Sequence, residues 1–478
     1  MYPATTTDKK REGTSKNKIT EDVKTHVHTI NLLACHRVSA CCRISAHCLT
    51  RSPRPFRPIR ARVELVERSA RDPTTATRCR PFARQLAYSG ATADIPFCCS
   101  HHVAYVACAT PCGTRYRFPY GNVAVVTPFN FPLEICALQS VSALMVGNRP
   151  MVKVDEKVSI VCEQFYRLMI ECGMPPTAAD VLHGDGQTCN ELMLRTMPRM
   201  TLFTGSQQVA DKLTADMKGR VKLEDAGFDW KILGPDVASE DYVAWQCDQD
   251  AYALSGQKCS AQSMLFAHKN WMDAGIVEKM AARAEMRKLS DLTHSPVLTW
   301  SNDAIAAHQE AILKIPGAKL LFGGKPLEEE HSIPACYGSY EATAVFVPIE
   351  EVNKPEHFEL VTHELFGPFQ VVTEYDDSQL DTVIEMCERM ENHLTAAIVS
   401  NDPAFGQKVL GSTINGTTYI GIRARCTGAP QQHWFGPAGD PRAGGIHTVE
   451  AIQQTWTCHR EIIVDTLVPD DWSAPVPT

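Results

Sequence analysis

From about Tyr116 onward the apolar positions fall into two alternating rhythms. Short runs of β-branched and other apolar residues separate longer stretches in which apolar residues recur every three or four positions. The pattern predicts strands over 123–126, 151–154, 181–182, 201–203 and 221–223. Between them it predicts helices over 132–147, 158–172, from the turn Gly184-Asp185-Gly186 onward, and over 206–218. Gly147-Asn148 and Gly173-Met174-Pro175 supply stop signals for the first two helices. Strands alternating with helices of this length imply βαβ units and a parallel sheet. Past about Ala226 the alternation resumes, with strands expected over 343–347 and 394–400. The tail after His433 is rich in Gly and Pro and ends in a β-prone run, 461–467. No internal repeat is visible, and the expected class is α/β.

Residues 1–112 show no sustained period. They carry Pro, Arg, Ser and Cys, and no acid occurs between Val23 and Val63. An Arg- and Ser-rich, acid-poor stretch fits an organelle transit peptide. Asp8, Glu12, Glu21 and Asp22 depart from that pattern, and a disordered or wrongly translated leader is the alternative. A mitochondrial matrix location is expected, with the cytoplasm as the other possibility. Without a regular apolar period, most of 1–112 is expected to be poorly ordered.

Composition narrows the class. With 478 residues, the chain is long enough for about three domains. Its 44% hydrophobic and 21% charged residues exclude wholesale disorder and a coiled-coil rod. No uncharged apolar run reaches the roughly 18 residues of a membrane span. Residues 1–115 carry a net charge of +11 and the remainder −19. The acidic body is a poor match for nucleic acid. Its ten cysteines show no regular spacing and read as reduced thiols.

Four motifs can carry chemistry. Gly256-Gln257-Lys258-Cys259-Ser260 sets a cysteine beside a lysine, and nearby positive charge favours the reactive thiolate; a buried, inert cysteine is the plainer reading. In Thr127-Pro128-Phe129-Asn130-Phe131-Pro132, two prolines fix the backbone around Asn130, whose amide can serve as an oxyanion donor or simply cap a turn. Phe203-Thr204-Gly205-Ser206 joins a strand to a helix start, suited to a pyrophosphate or to an ordinary N-cap. No GxGxxG occurs. Leu223-Glu224-Asp225-Ala226-Gly227 ends a strand on a carboxylate that can act as a general base, or stay solvated. Cys98, Cys99, His101, His102, Cys108 and Cys112 are metal-capable, but their spacing fits no zinc-finger pattern, and no metal is expected.

The order of these motifs carries more than any one of them. Asn130, Lys153, Gly205-Ser206, Glu224, Cys259 and Glu364-Leu365-Phe366-Gly367-Pro368 run in the order of the aldehyde dehydrogenase superfamily. The resemblance covers about Arg117 to the C-terminus. Phe118-Pro119-Tyr120-Gly121 and the runs 223–231, 242–264 and 433–442 resemble its plant-type Δ1-pyrroline-5-carboxylate dehydrogenase subgroup.

The resemblance implies a Rossmann-type cofactor domain (113–225, incomplete on its N-terminal side), an α/β catalytic domain (226–432), and a substrate anchor loop with a small oligomerisation arm (433–478). It implies NAD-dependent oxidation of L-glutamate γ-semialdehyde to glutamate, with Cys259 as nucleophile, Asn130 as oxyanion donor and Glu224 as general base. Lys153, Gly205, Ser206, Glu364 and Phe366 would bind the cofactor. Glu156, three residues after Lys153, would repel a 2′-phosphate and so favour NAD. Ser260 and the N–H groups of Ala438 and Gly439 would hold the substrate's amino-acid end. The expected partners are the small aldehyde and further copies of the chain. The family normally supplies over a hundred different residues before Phe118, so an inactive or truncated relative with a damaged cofactor domain is the alternative.

Overall fold

The computed structural model describes Val106–Ala107 and residues 113–476, apart from 226, 391–392, 428–433, 447 and 464–469. The expectations for the leader and for the run from Cys98 to Cys112 therefore lie outside the described residues, Val106–Ala107 excepted. That pair forms β1, antiparallel to β2 (Gly113–Pro119), within the stretch set apart by composition.

The first parallel sheet contains β3 (Asn122–Val126), β4 (Arg149–Lys153), β5 (Asp180–Leu182), β6 (Thr201–Thr204) and β7 (Val221–Glu224). Its crossover helices are α1 (Glu134–Met145), α2 (Ser159–Glu171), α3 (Gly186–Thr196) and α4 (Gln207–Asp216). Gly147 leaves α1 through a left-handed turn, φ +92°, a conformation that glycine adopts without strain. Asn148 then fixes the turn, accepting from the Gly121 N–H and donating to the Trp456 carbonyl, both at 2.9 Å. Asp185 caps α3 by accepting from the Thr188 N–H at 2.8 Å. The strand order is β5-β4-β3-β6-β7. The chain runs outward from β3 to β5, then returns to β6 on the other side. That reversal opens a crevice at the carboxyl ends of β3 and β6, where ligands bind in doubly wound sheets.

The second sheet has seven strands: β8 (Asp229–Leu233), β9 (Gln262–His268), β10 (Lys319–Phe322), β11 (Thr343–Phe346), β12 (Phe369–Tyr375), β13 (Thr395–Val399) and β14 (Thr417–Ile420). Their order is β10-β11-β12-β9-β8-β13-β14, and β10 alone runs antiparallel to its neighbour. Both faces are covered. Trp230, Ile232, Phe266 and Ile398 pack into one core, while Leu233, Leu265, Ala397 and Val399 pack into the other. A sheet buried on both sides reads as continuous apolar runs, as these strands do.

The tail closes on the first sheet. Leu223 donates to the Arg442 carbonyl at 2.8 Å, and Gly444 donates to the Leu223 carbonyl at 2.9 Å. Helix Val449–Trp456 follows, with Trp456 buried in the core shared with α1 and α2. The last strand, β15, is Thr457–Ile463, starting four residues ahead of the expected run. It is set by pairing along the whole of β2, a partner more than three hundred residues away that local pattern cannot reveal.

Candidate active site

The carboxyl ends of the first sheet face a cleft of about 1610 Å³. Asn130, Lys153, Glu156, Gly205, Ser206, Glu224, Cys259, Glu364 and Phe366 all line it. Nine of the twelve residues singled out by sequence thus meet at one cavity.

Six of them sit at or just after strand ends of the first sheet, while Cys259, Glu364 and Phe366 come from loops ahead of β9 and β12. After β3, Thr127 donates to the Lys153 carbonyl at 3.0 Å, which ties the start of the proline-bounded turn to the end of β4. The Asn130 amide crosses to the other sheet and donates to the Gln257 carbonyl at 3.0 Å. After β6, Gly205 donates to the Glu224 carbonyl at 3.1 Å, so the start of α4 stays beside the end of β7. A helix start facing a cleft presents the positive end of its dipole to an anion. Phe366 meets Phe129 edge-on at 5.9 Å. Lysine, helix start, aromatic edge and the Glu364 carboxylate form a run of groups suited to a dinucleotide at the topological switch point.

Glycine makes the loop around Cys259 compact. A Cβ on Gly227 would stand 2.6 Å from the Cys259 carbonyl, and one on Gly256 would overlap the Gly367 carbonyl. The loops after β7, after α5 (Glu240–Tyr252) and before β12 therefore meet backbone to backbone.

The electrostatics differ from the sequence expectation. Lys258 does not supply positive charge to the thiol. Its ammonium is buried and donates to the carbonyls of Gln249 and Asp250, both at 2.9 Å. Burial pulls its pKa down to about 8. Cys259 instead faces carboxyl groups. Burial first, then Glu224, Asp229 and Glu364, push its pKa well above the usual thiol value. The same burial acts on the acids. Glu224 is pushed up to about 7, opposed by the Cys259 thiol and assisted by Asp225. Neither Glu224 oxygen has a partner of full hydrogen-bond geometry. Glu364 is pushed up to about 8 by burial, opposed by the Gly227 N–H.

Sequence reasoning missed Asp229. It is fully buried at the start of β8, its Oδ1 accepts from the Thr395 N–H at 2.6 Å, and its Oδ2 has no partner. The available signal was an acid inside the apolar run Phe228-Asp229-Trp230.

Ser260, Ala438 and Gly439 do not line the cleft. Ser260 is buried, and its carbonyl accepts from the Thr427 hydroxyl at 2.7 Å. The Ala438 N–H already donates to the His393 carbonyl at 3.0 Å, so it is not open to a carboxylate. Gly439 takes φ +82° beside Ile414 and His393. Among the described residues no group of three His, Cys, Asp or Glu is placed to hold a metal, and no helix is long and apolar enough to cross a membrane.

A model of the aldehyde dehydrogenase family matches residues 101–456. The chain belongs to the aldehyde dehydrogenase family. The match begins ahead of Arg117, where the recognisable motifs start. Over 365 residues the chain is 61% identical to the mitochondrial Delta-1-pyrroline-5-carboxylate dehydrogenase 12A1 of Arabidopsis thaliana, covering 76% of this chain and 66% of that protein. A probable aldehyde dehydrogenase of Linum usitatissimum is 61% identical over 364 residues, with the same shares covered. The chain thus spans just under two thirds of the length of these two relatives. Lactaldehyde dehydrogenase from Escherichia coli has the same fold, with a TM-score of 0.66 at 20% identity over 76% of this chain and 75% of that one. In this member of the family, the paired sheets and the cleft between them have the fold of that neighbour.

Proposed function

We propose that the chain oxidises L-glutamate γ-semialdehyde, the open form of Δ1-pyrroline-5-carboxylate, to L-glutamate with NAD, as a step of proline catabolism. The observation that carries this reading is the approach of the Cys259 thiol to the Glu224 carboxyl in the cleft that Lys153, Gly205, Ser206, Glu364 and Phe366 also line. Identity of 61% to a Δ1-pyrroline-5-carboxylate dehydrogenase supports the choice of substrate.

With a pKa of about 7, Glu224 is part ionised near neutrality and can accept a proton. The Cys259 thiol gives up its proton to water, and the sulfur attacks the aldehyde carbon. The Asn130 amide and the Cys259 N–H steady the oxyanion of the thiohemiacetal. When bound, NAD supplies the hydride acceptor that turns this adduct into a thioester. Glu224 then takes a proton from the water that releases glutamate, and covalent catalysis divides one hard step into two easier ones. Lys153 and the start of α4 would hold the adenosine and pyrophosphate, Glu364 and Phe366 the nicotinamide end, and Glu156 would select against a 2′-phosphate. Ser260 and Gly439 remain the candidates for holding the substrate's amino-acid end. The chain acts as a homo-oligomer in the mitochondrial matrix.

The test is a substrate panel. Purified protein with NAD and glutamate γ-semialdehyde should yield NADH and glutamate, with kcat/KM about 100-fold above that for propionaldehyde, which lacks the α-amine and α-carboxylate. Equal kcat/KM for the two would refute the substrate assignment.

A further inference from the structure

The segment between α5 and the Cys259 thiol is wound the wrong way for most residues. Leu254 has φ +57° and ψ +28°, Ser255 has φ +52° and ψ +41°, and Gly256 follows at φ +69°. In the left-handed region Cβ crowds the next carbonyl, so only glycine sits there at ease. Two successive non-glycine residues in that region persist only where their surroundings over-determine them.

The surroundings here are the 294–298 loop. Ser255 is fully buried. Its hydroxyl donates to the Ser295 carbonyl at 2.9 Å and accepts from the Ser295 N–H at 2.8 Å. It also meets His294 Nδ1 at 3.0 Å and the Ser295 hydroxyl at 3.3 Å. A hydroxyl has one donor and two acceptor lone pairs, so the two backbone contacts and an imidazole with its proton on Nδ1 fill it, and the longer Ser295 hydroxyl contact shares a lone pair. His294 is itself buried, and burial with the Arg287 guanidinium nearby holds its pKa down to about 4. Two residues on, the Gln257 side chain repeats the grip on the same loop. It donates to the Pro296 carbonyl and accepts from the Leu298 N–H, both at 2.8 Å.

We propose that Ser255 is a positioning residue: clasped by His294 and Ser295, its hydroxyl holds the left-handed turn that aims Cys259 into the cleft. This rests on Cys259 being the nucleophile. Ser255 touches neither substrate nor cofactor in this account. It acts by fixing the backbone four residues ahead of the sulfur, where small misplacements of a reacting atom are costly.

Two measurements test the claim: kcat per NAD-binding site, and the rate at which iodoacetamide alkylates Cys259 without cofactor, read by peptide mass spectrometry. Ser255→Ala should lose about tenfold or more in kcat per site and change the alkylation rate. Ser255→Gly relaxes the backbone but has no hydroxyl, and should lose as much. His294→Ala should match them. His294→Asn, whose amide places a donor near the position of Nδ1, should recover most of the loss. A Ser255→Gly enzyme as fast as wild type would overturn the proposal, since backbone conformation alone would then suffice. Wild-type kcat and alkylation in Ser255→Ala or His294→Ala would overturn it equally. If Ser255→Ala fails to bind NAD, the two His294 variants decide on the same terms. Turnover by Cys259→Ser would refute the nucleophile instead, a separate failure from unchanged alkylation of Cys259 in Ser255→Ala.

Discussion

The Asn130 amide donates to the Gln257 carbonyl at 3.0 Å, and so ties the turn after β3 to the loop that carries Cys259. One side chain thereby connects the crevice of the first sheet to the thiol from the second. The carbonyl it holds belongs to the residue two positions before Cys259.

Asn130→Ala should therefore damage both tasks. Removing one oxyanion donor typically costs about 100- to 1000-fold in kcat. The NAD dissociation constant, set by groups along the rest of the cleft, should change little. A loss in kcat of less than about threefold would exclude Asn130 from the oxyanion site.

The carboxyl of Glu224 should matter most after hydride transfer. Glu224→Gln should release about one NADH per site in a burst and then turn over slowly, because the thioester accumulates. Stopped-flow absorbance at the NADH band reads this directly. A folded variant with no burst would remove Glu224 from the deacylation step.

Burial of the same carboxyl has a stability consequence. Its pKa rises from an ordinary 4.5 to about 7 in the folded chain. At about 1.4 kcal/mol per unit this is on the order of 3 kcal/mol. A raised carboxyl pKa contributes stability that is fully present below the unfolded value and lost as pH rises through the folded one. Glu224→Gln should accordingly gain stability relative to wild type between pH 5 and pH 8.5. Denaturation midpoints of the ligand-free proteins at the two pH values measure it. A difference that does not change with pH would show that Glu224 titrates normally.

Cofactor choice should follow Glu156, which lines the cleft near Lys153. Wild type should favour NAD over NADP, and Glu156→Gln should narrow the gap by removing repulsion from a 2′-phosphate. Equal kcat/KM for both cofactors in the wild-type protein would contradict this.

How much of this was legible in the sequence depended on range. The strands and helices between Asn122 and Glu224 follow their local period, so the expected elements match within one or two residues. β15 starts ahead of the expected run because its pairing with β2 begins at Thr457, and residues 464–467 of that run lie outside the described residues. The site residues were legible as an ordered series of motifs, but their contacts were not. Adjacent in sequence, Lys258 and Cys259 suggested a charge pair. In three dimensions the ammonium turns to the end of α5 and the thiol turns to three carboxyl groups. Asp229 was hidden because a strand gives no local sign that a buried acid faces a thiol thirty residues later. Ala438 looked like a free N–H donor because its partner, the His393 carbonyl, lies far away in the chain.

The central claim is that Cys259 is the one thiol through which the aldehyde is oxidised. The most direct test compares NADH formation from glutamate γ-semialdehyde by wild type, Cys259→Ser, Cys247→Ser and Cys136→Ser, with NAD binding measured for each. The account predicts that Cys259→Ser binds NAD but forms no NADH, while the other two keep turning over. NADH formation by Cys259→Ser at the wild-type rate would contradict it. So would an equal loss in folded Cys247→Ser or Cys136→Ser.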